Sequence, residues 1–148
     1  MLKARDVNHP FEILLVEDNM GDVYLLRMAL ETVRVPVHLT VVTDGEEAIR
    51  HVSQEKGAVQ PQPDLILLDL SLPKKSGYEV LAAVRAHPDT SCVPVIILSS
   101  SNASKDIRRA YELNANGYIR KPSDIDDLKN IITGIENFWL SVAELPSE

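Results

Sequence analysis

Four short strand-like runs in this chain end in residues able to do chemistry. Residues 14–16 lead into Glu17 and Asp18, residues 65–68 into Asp69, residues 95–98 into Ser99, and residues 117–120 into Lys121. Taken singly, each has a plain reading. An Asp after an apolar run is commonly a turn or cap residue. Glu17 and Asp18 could cap the helix that follows, Lys121 could be a surface charge, and Ser99-Ser100-Ser101 reads as a loop. If the runs are parallel neighbours, however, all four ends meet at one mouth. Three carboxylates cannot share a small site in ionised form without a cation. Oxygen ligands with open positions suit Mg2+, or Mn2+ in its place. The four histidines are scattered without the spacing of a zinc site. A cation, an ammonium group, a hydroxyl and a fixed carboxylate are the equipment for phosphoryl transfer to a carboxylate nucleophile. Asp69 would attack the phosphorus. The cation and Lys121 would neutralise the equatorial oxygens, and Ser99 would hydrogen-bond the phosphoryl group.

The elements that must position these residues alternate. Strand-like runs at 13–17, 37–43, 65–69, 95–99 and 117–120 are separated by segments with helical period. Val23, Leu26, Arg27 and Leu30 share one helix face; Ala48, Ile49 and Val52 share another, after a capping pattern from Asp44 to Glu47. Val80, Leu81 and Val84 mark a third helix, ended by His87-Pro88. Ile107, Ala110, Tyr111 and Leu113 mark a fourth, ended near Asn116-Gly117. The fifth is expected to start at Ser123 and to run through Ile125, Leu128, Ile132, Ile135, Trp139 and Val142. Alternation of this kind means crossover units and a parallel sheet covered on both faces. The unbroken apolar runs at 14–16, 65–68 and 95–98 then belong to central strands, and the second and fifth strands are edges. The segment 57–63 (GAVQPQP) reads as a loop. Ligands of such open sheets sit beyond the carboxyl ends of the strands, where Asp69 falls.

The 148 residues fit a single α/β domain. A net charge of -7 argues against nucleic acid as the default partner. The single cysteine, Cys92, excludes an internal disulfide and fits a reducing compartment. The N-terminus has no secretory apolar region and no run approaches the roughly 20 residues of a membrane span, so a cytoplasmic location is expected.

LLVEDN at 14–19, LILLDLSLPKKSG at 65–77, VIILSSS at 95–101 and GYIRKP at 117–122 resemble the receiver domains of two-component response regulators. The resemblance runs from about Glu12 to about Phe138. It implies a doubly wound, five-stranded parallel sheet of order 2-1-3-4-5, with 1–11 as an N-terminal extension, 12–146 as one receiver domain and no output domain. Asp69 then corresponds to the phosphoacceptor. Glu17 and Asp18 correspond to the acidic pair that holds the metal, Asp18 more directly, with the backbone carbonyl of Ser71 as a further ligand. Glu17 stands where many receivers have Asp. Ser99 and Tyr118 correspond to the switch hydroxyl and switch aromatic, with Ser99 moving toward the phosphoryl group and Tyr118 turning inward. Lys121 corresponds to the family's site lysine, and the Lys121–Pro122 peptide is expected to be cis. Such a protein catalyses only its own phosphorylation and dephosphorylation. IENFWLSVAELP at 135–146, with LPKKSGYEVL at 72–81, narrows the resemblance to the stand-alone receivers of bacterial and cyanobacterial phytochrome histidine kinases. The implied partner is a sensor histidine kinase of the red-light-sensing type. Output is expected to pass through a surface to an unknown downstream protein.

A fifth helix from Asp124 to about Leu145 would be roughly 30 Å long at about 1.5 Å per residue. That exceeds what the sheet needs, so Phe138, Trp139, Val142 and Leu145 are candidates for a homodimer contact, the direction in which the family resemblance leans; the alternative is that Trp139 packs on its own domain. Two other functions share this topology. An aspartyl-phosphate enzyme or phosphatase generally needs a further acid or base and a lid, yet the position two after Asp69 is Ser71. A flavin or mononucleotide module of the same topology needs a glycine-rich or aromatic mouth, and only Tyr118 is aromatic nearby.

Overall fold

The computed structural model describes residues 5–53 and 62–146. Five strands, β1 (Phe11–Val16), β2 (Val37–Val42), β3 (Leu65–Leu68), β4 (Val95–Ser99) and β5 (Gly117–Arg120), form one sheet in the order β2-β1-β3-β4-β5. Every pairing is parallel. Five helices lie between and after them: α1 (Met20–Leu30), α2 (Gly45–Val52), α3 (Gly77–Ala86), α4 (Ser104–Glu112) and α5 (Ile125–Asn137). The expected doubly wound fold and its two edge strands are therefore present.

Strand side chains alternate between two cores. Leu14, Val16, Ile66, Leu68 and Ile97 point to one face, where Val52 of α2, Val80, Leu81 and Val84 of α3, and Ala110 of α4 cover them. Ile13, Leu15, Leu65, Leu67 and Leu98 point to the other, under Val23 and Leu26 of α1 and Leu128 and Ile132 of α5. Burial on both faces is why β3 is uniformly apolar.

Side chains set most helix starts. Asn19 accepts the Asp22 N–H, Asp44 accepts that of Glu47, and Ser76 and Glu79 form a reciprocal capping box. α5 is capped by Asp124, which accepts the Asp127 N–H, one residue later than the expected Ser123. Most of the 57–63 loop, residues 57–61, lies outside the described residues.

Both ends of the chain differ from expectation. The N-terminal side is fastened to the sheet: Arg5 pairs with Asp64 at 3.2 Å and lies 4.3 Å from the centre of the Phe11 ring. Phe11 itself is core and opens β1. At the other end the expected long helix stops at Asn137. The next turn, Phe138–Val142, is π-helical, closed by the Ala143 N–H donating to the Phe138 carbonyl at 2.7 Å. The chain then leaves helical geometry, and Leu145 packs into the core shared by α1 and α5. Trp139 is half-buried against the same core. These two residues thus pack on their own domain, while Phe138 and Val142 stay 53% and 63% exposed.

Candidate functional site

Main-chain bonds just past the strand ends fix the mouth. The Glu17 N–H donates to the Val42 carbonyl at 3.0 Å, the Asp69 N–H to that of Val16 at 3.0 Å, and the Lys121 N–H to that of Ser99 at 2.8 Å. Each is the next rung of a parallel ladder, so the side chains are aimed by the sheet and not by a loose loop. Glu17, Asp69 and Ser99 are buried; Asp18 is exposed at the rim.

Lys121 is the centre of charge. Its Nζ lies 2.5 Å from Glu17 Oε1, 3.0 Å from Asp22 Oδ2 and 3.3 Å from Asp69 Oδ2. Burial alone would lower the Lys121 pKa, but the bonds to Glu17 and Asp22 and the charge of Asp69 outweigh it and the pKa is raised. Burial, with Asp69 close by, pushes Glu17 up to about 7 against the pull of Lys121. A buried carboxylate held at the edge of ionisation is a place prepared for more positive charge. Carboxylate oxygens of Glu17, Asp18 and Asp69 lie within 4.8 Å of one another. This all-oxygen donor set fits a hard divalent cation and no soft one.

The remaining expected residues surround this centre. The exposed Ser71 donates its N–H to Asp69 Oδ1 at 3.3 Å. Ser99 Oγ accepts the Ser101 N–H at 3.2 Å. Tyr118 packs against the core, and its hydroxyl donates to the Ser101 carbonyl at 2.8 Å. Its ring is thus turned toward the sheet and tied to the loop that follows Ser99. The Lys121–Pro122 peptide is trans, as is every peptide bond among the described residues, contrary to the cis geometry expected. The ladder bond from the Lys121 N–H already aims the lysine, and trans is the intrinsically favoured isomer.

Asp22 was not among the sequence candidates. It sits in the first turn of α1, where an acid reads as a partner of the helix dipole. The available signal was its place one helical turn after Asp18.

The model of the response regulator receiver domain matches residues 13–133. The chain belongs to that family. Response regulator Rcp1 of Synechocystis sp. is 41% identical to this receiver over 142 residues, covering 95% of this chain and 96% of the relative. The crystal structure of the phosphorylated cyanobacterial phytochrome response regulator RcpA superposes with a TM-score of 0.87 at 46% identity, covering 93% of this receiver and 99% of that chain. The Mn2+-bound form of Rcp1 gives 0.84 at 40% identity, covering 93% and 100%. These findings bear out the resemblance, including its narrower form: the receiver is similar to phytochrome response regulators. Among its described residues no helix is long and apolar enough to cross a membrane.

Proposed function

We propose that this receiver accepts a phosphoryl group on Asp69 from the phosphohistidine of a sensor histidine kinase of the phytochrome type. The observation that carries the reading is the buried Asp69 carboxylate at the end of β3, facing Lys121 Nζ and flanked by Glu17 and Asp18. A carboxylate oxygen of Asp69 forms the new O–P bond as the P–N bond to the imidazole breaks, and the imidazole departs. Lys121 donates to a phosphoryl oxygen, and Ser99 supplies a hydroxyl proton to another. Glu17, Asp18 and Asp69, with the carbonyl of Ser71, would hold Mg2+ or Mn2+, whose role is to neutralise charge on the transferring group. The same residues would support slow self-catalysed loss of the phosphoryl group. Phosphorylation adds about -1.5 to -2 charge at a site bounded by Ser99 and Tyr118, and the response passes to a downstream protein through the surface around α4 and β5. The setting is the cytoplasm. A homodimer through the exposed Phe138 and Val142 is part of this reading. No observation favours an aspartyl-phosphate enzyme or a flavin module.

The test is phosphotransfer. A phytochrome-type histidine kinase, autophosphorylated with labelled ATP and freed of nucleotide, is mixed with this receiver. Label is expected to pass to the wild type and not to Asp69→Asn. Equal labelling of both proteins would reject Asp69 as acceptor.

A further inference from the structure

The loop between β4 and α4 is tied to α3 and α4 by a chain of hydrogen bonds that the phosphoacceptor reading does not use. Asp106, in the first turn of α4, is its hub. Its Oδ2 accepts the Ser101 hydroxyl at 2.6 Å, and its Oδ1 accepts the Tyr78 hydroxyl at 3.2 Å. Tyr78 belongs to α3, and its ring lies 4.0 Å from the Arg109 guanidinium carbon. Burial and the neighbouring Asp106 carboxylate push the Tyr78 phenol up to about 12, so it stays a donor. α4 has no cap from its own N-cap residue, Ala103; instead Ser101 Oγ accepts the Ala103 N–H at 3.2 Å.

Ser101 is the link to the site. Its N–H donates to Ser99 Oγ, and its carbonyl accepts from Tyr118. Fixing Ser101 therefore fixes both switch residues. Ser99 is buried, its oxygen is engaged as an acceptor, and its hydroxyl makes no bond as donor among the described residues. That proton is left for an incoming oxygen.

We infer that Asp106 is a positioning residue: acting through Ser101, it holds the β4–α4 loop so that Ser99 presents its hydroxyl proton to the phosphoryl group on Asp69. The inference rests on the phosphoacceptor reading. Asp106 touches neither the acidic mouth nor Lys121, so its effect must run through the loop.

The experiment is titration of the full chain with beryllofluoride, a phosphoryl mimic, in the presence of Mg2+, with Mn2+ affinity measured alongside. Asp106→Ala and Ser101→Ala are each expected to weaken beryllofluoride binding about fivefold, the worth of roughly one hydrogen bond. The double variant is expected to be no weaker than the worse single one, because both substitutions break the same tie. Mn2+ affinity is expected to stay at the wild-type level. If Asp106→Ala fails to fold, Ser101→Ala, which leaves the α4 sequence intact, carries the test. Wild-type binding by the folded variants, losses that multiply in the double variant, or an equal loss of Mn2+ affinity would each overturn the inference alone. A wild type that takes no beryllofluoride would overturn the phosphoacceptor reading and the inference with it.

Discussion

At Lys121 one ammonium group, with three protons to donate, faces Glu17, Asp22 and Asp69 within 3.3 Å. Removing it would leave three carboxylates with no fixed cation. Breaking a buried pair from one side costs about 3–5 kcal/mol. Lys121 is 19% exposed, so Lys121→Met is expected to lose about 2 kcal/mol in EDTA, with much of the loss restored by Mg2+. Urea unfolding with and without the ion measures both. The same cluster sets a pH dependence. Glu17 has a folded pKa near 7 against an ordinary 4.5, so the folded state holds its proton more tightly. Stability from this group is complete below about 4.5 and is lost as pH rises through about 7. In EDTA the wild type is therefore expected to be less stable at pH 8 than at pH 6. The raised pKa of Lys121 acts only at alkaline pH and leaves this window untouched. The acids, the serine and the lysine were legible as residues because each closes a strand-like run. Asp22 and Asp106 were not. Both lie in first turns of helices, where acids are ordinary; Asp22 meets Lys121 from 99 residues away, and Asp106 joins Ser101, five residues before it, to Tyr78, 28 residues away.

At the scale of elements, the start of α3 rests directly on the end of β3. A Cβ on Gly77 would lie 2.3 Å from the Asp69 carbonyl oxygen and 2.6 Å from Leu70 Cα. No side chain fits there without displacing the backbone that carries the acceptor. Gly77→Ala is expected to cost about 1–3 kcal/mol, as overpacking does. It should also slow phosphorylation by acetyl phosphate, unlike a substitution that only weakens the core. Denaturation and the rate of mass gain test the two halves. Strand and helix positions were legible because period and capping agree, as at Ser76 and Glu79. The end of α5 was not. The adjacent Phe138, Trp139 and Leu140 continue a helical apolar pattern, and nothing local announces the wider turn they form. The fate of Leu145 was set by tertiary packing, which drew it into the α1–α5 core and stopped the projecting helix. No local signal in the sequence distinguishes cis from trans at Lys121–Pro122; the family resemblance implies cis, and the peptide is trans.

For the whole molecule, the alternation of apolar runs and helical segments was enough to place Glu17, Asp69, Ser99 and Lys121 at one mouth, because a parallel sheet puts every strand's carboxyl end on the same side. The exposed surface was less legible, since exposure depends on where the last turn lies. Phe138 and Val142 remain outward, with the rings of Phe138 and Trp139 edge-on at 5.1 Å. If they form the dimer contact, Phe138→Asp with Val142→Asp should convert a sedimenting dimer to a monomer without loss of fold; an unchanged sedimentation coefficient would remove that contact. The mouth as a whole serves the transfer of a phosphoryl group to Asp69. Its most direct test is the intact mass of the protein after incubation with acetyl phosphate, with and without Mg2+, beside Asp69→Asn. One added phosphoryl group is expected on the wild type, only with Mg2+ present, and none on the variant. No addition to the wild type, or equal addition to Asp69→Asn, would contradict it.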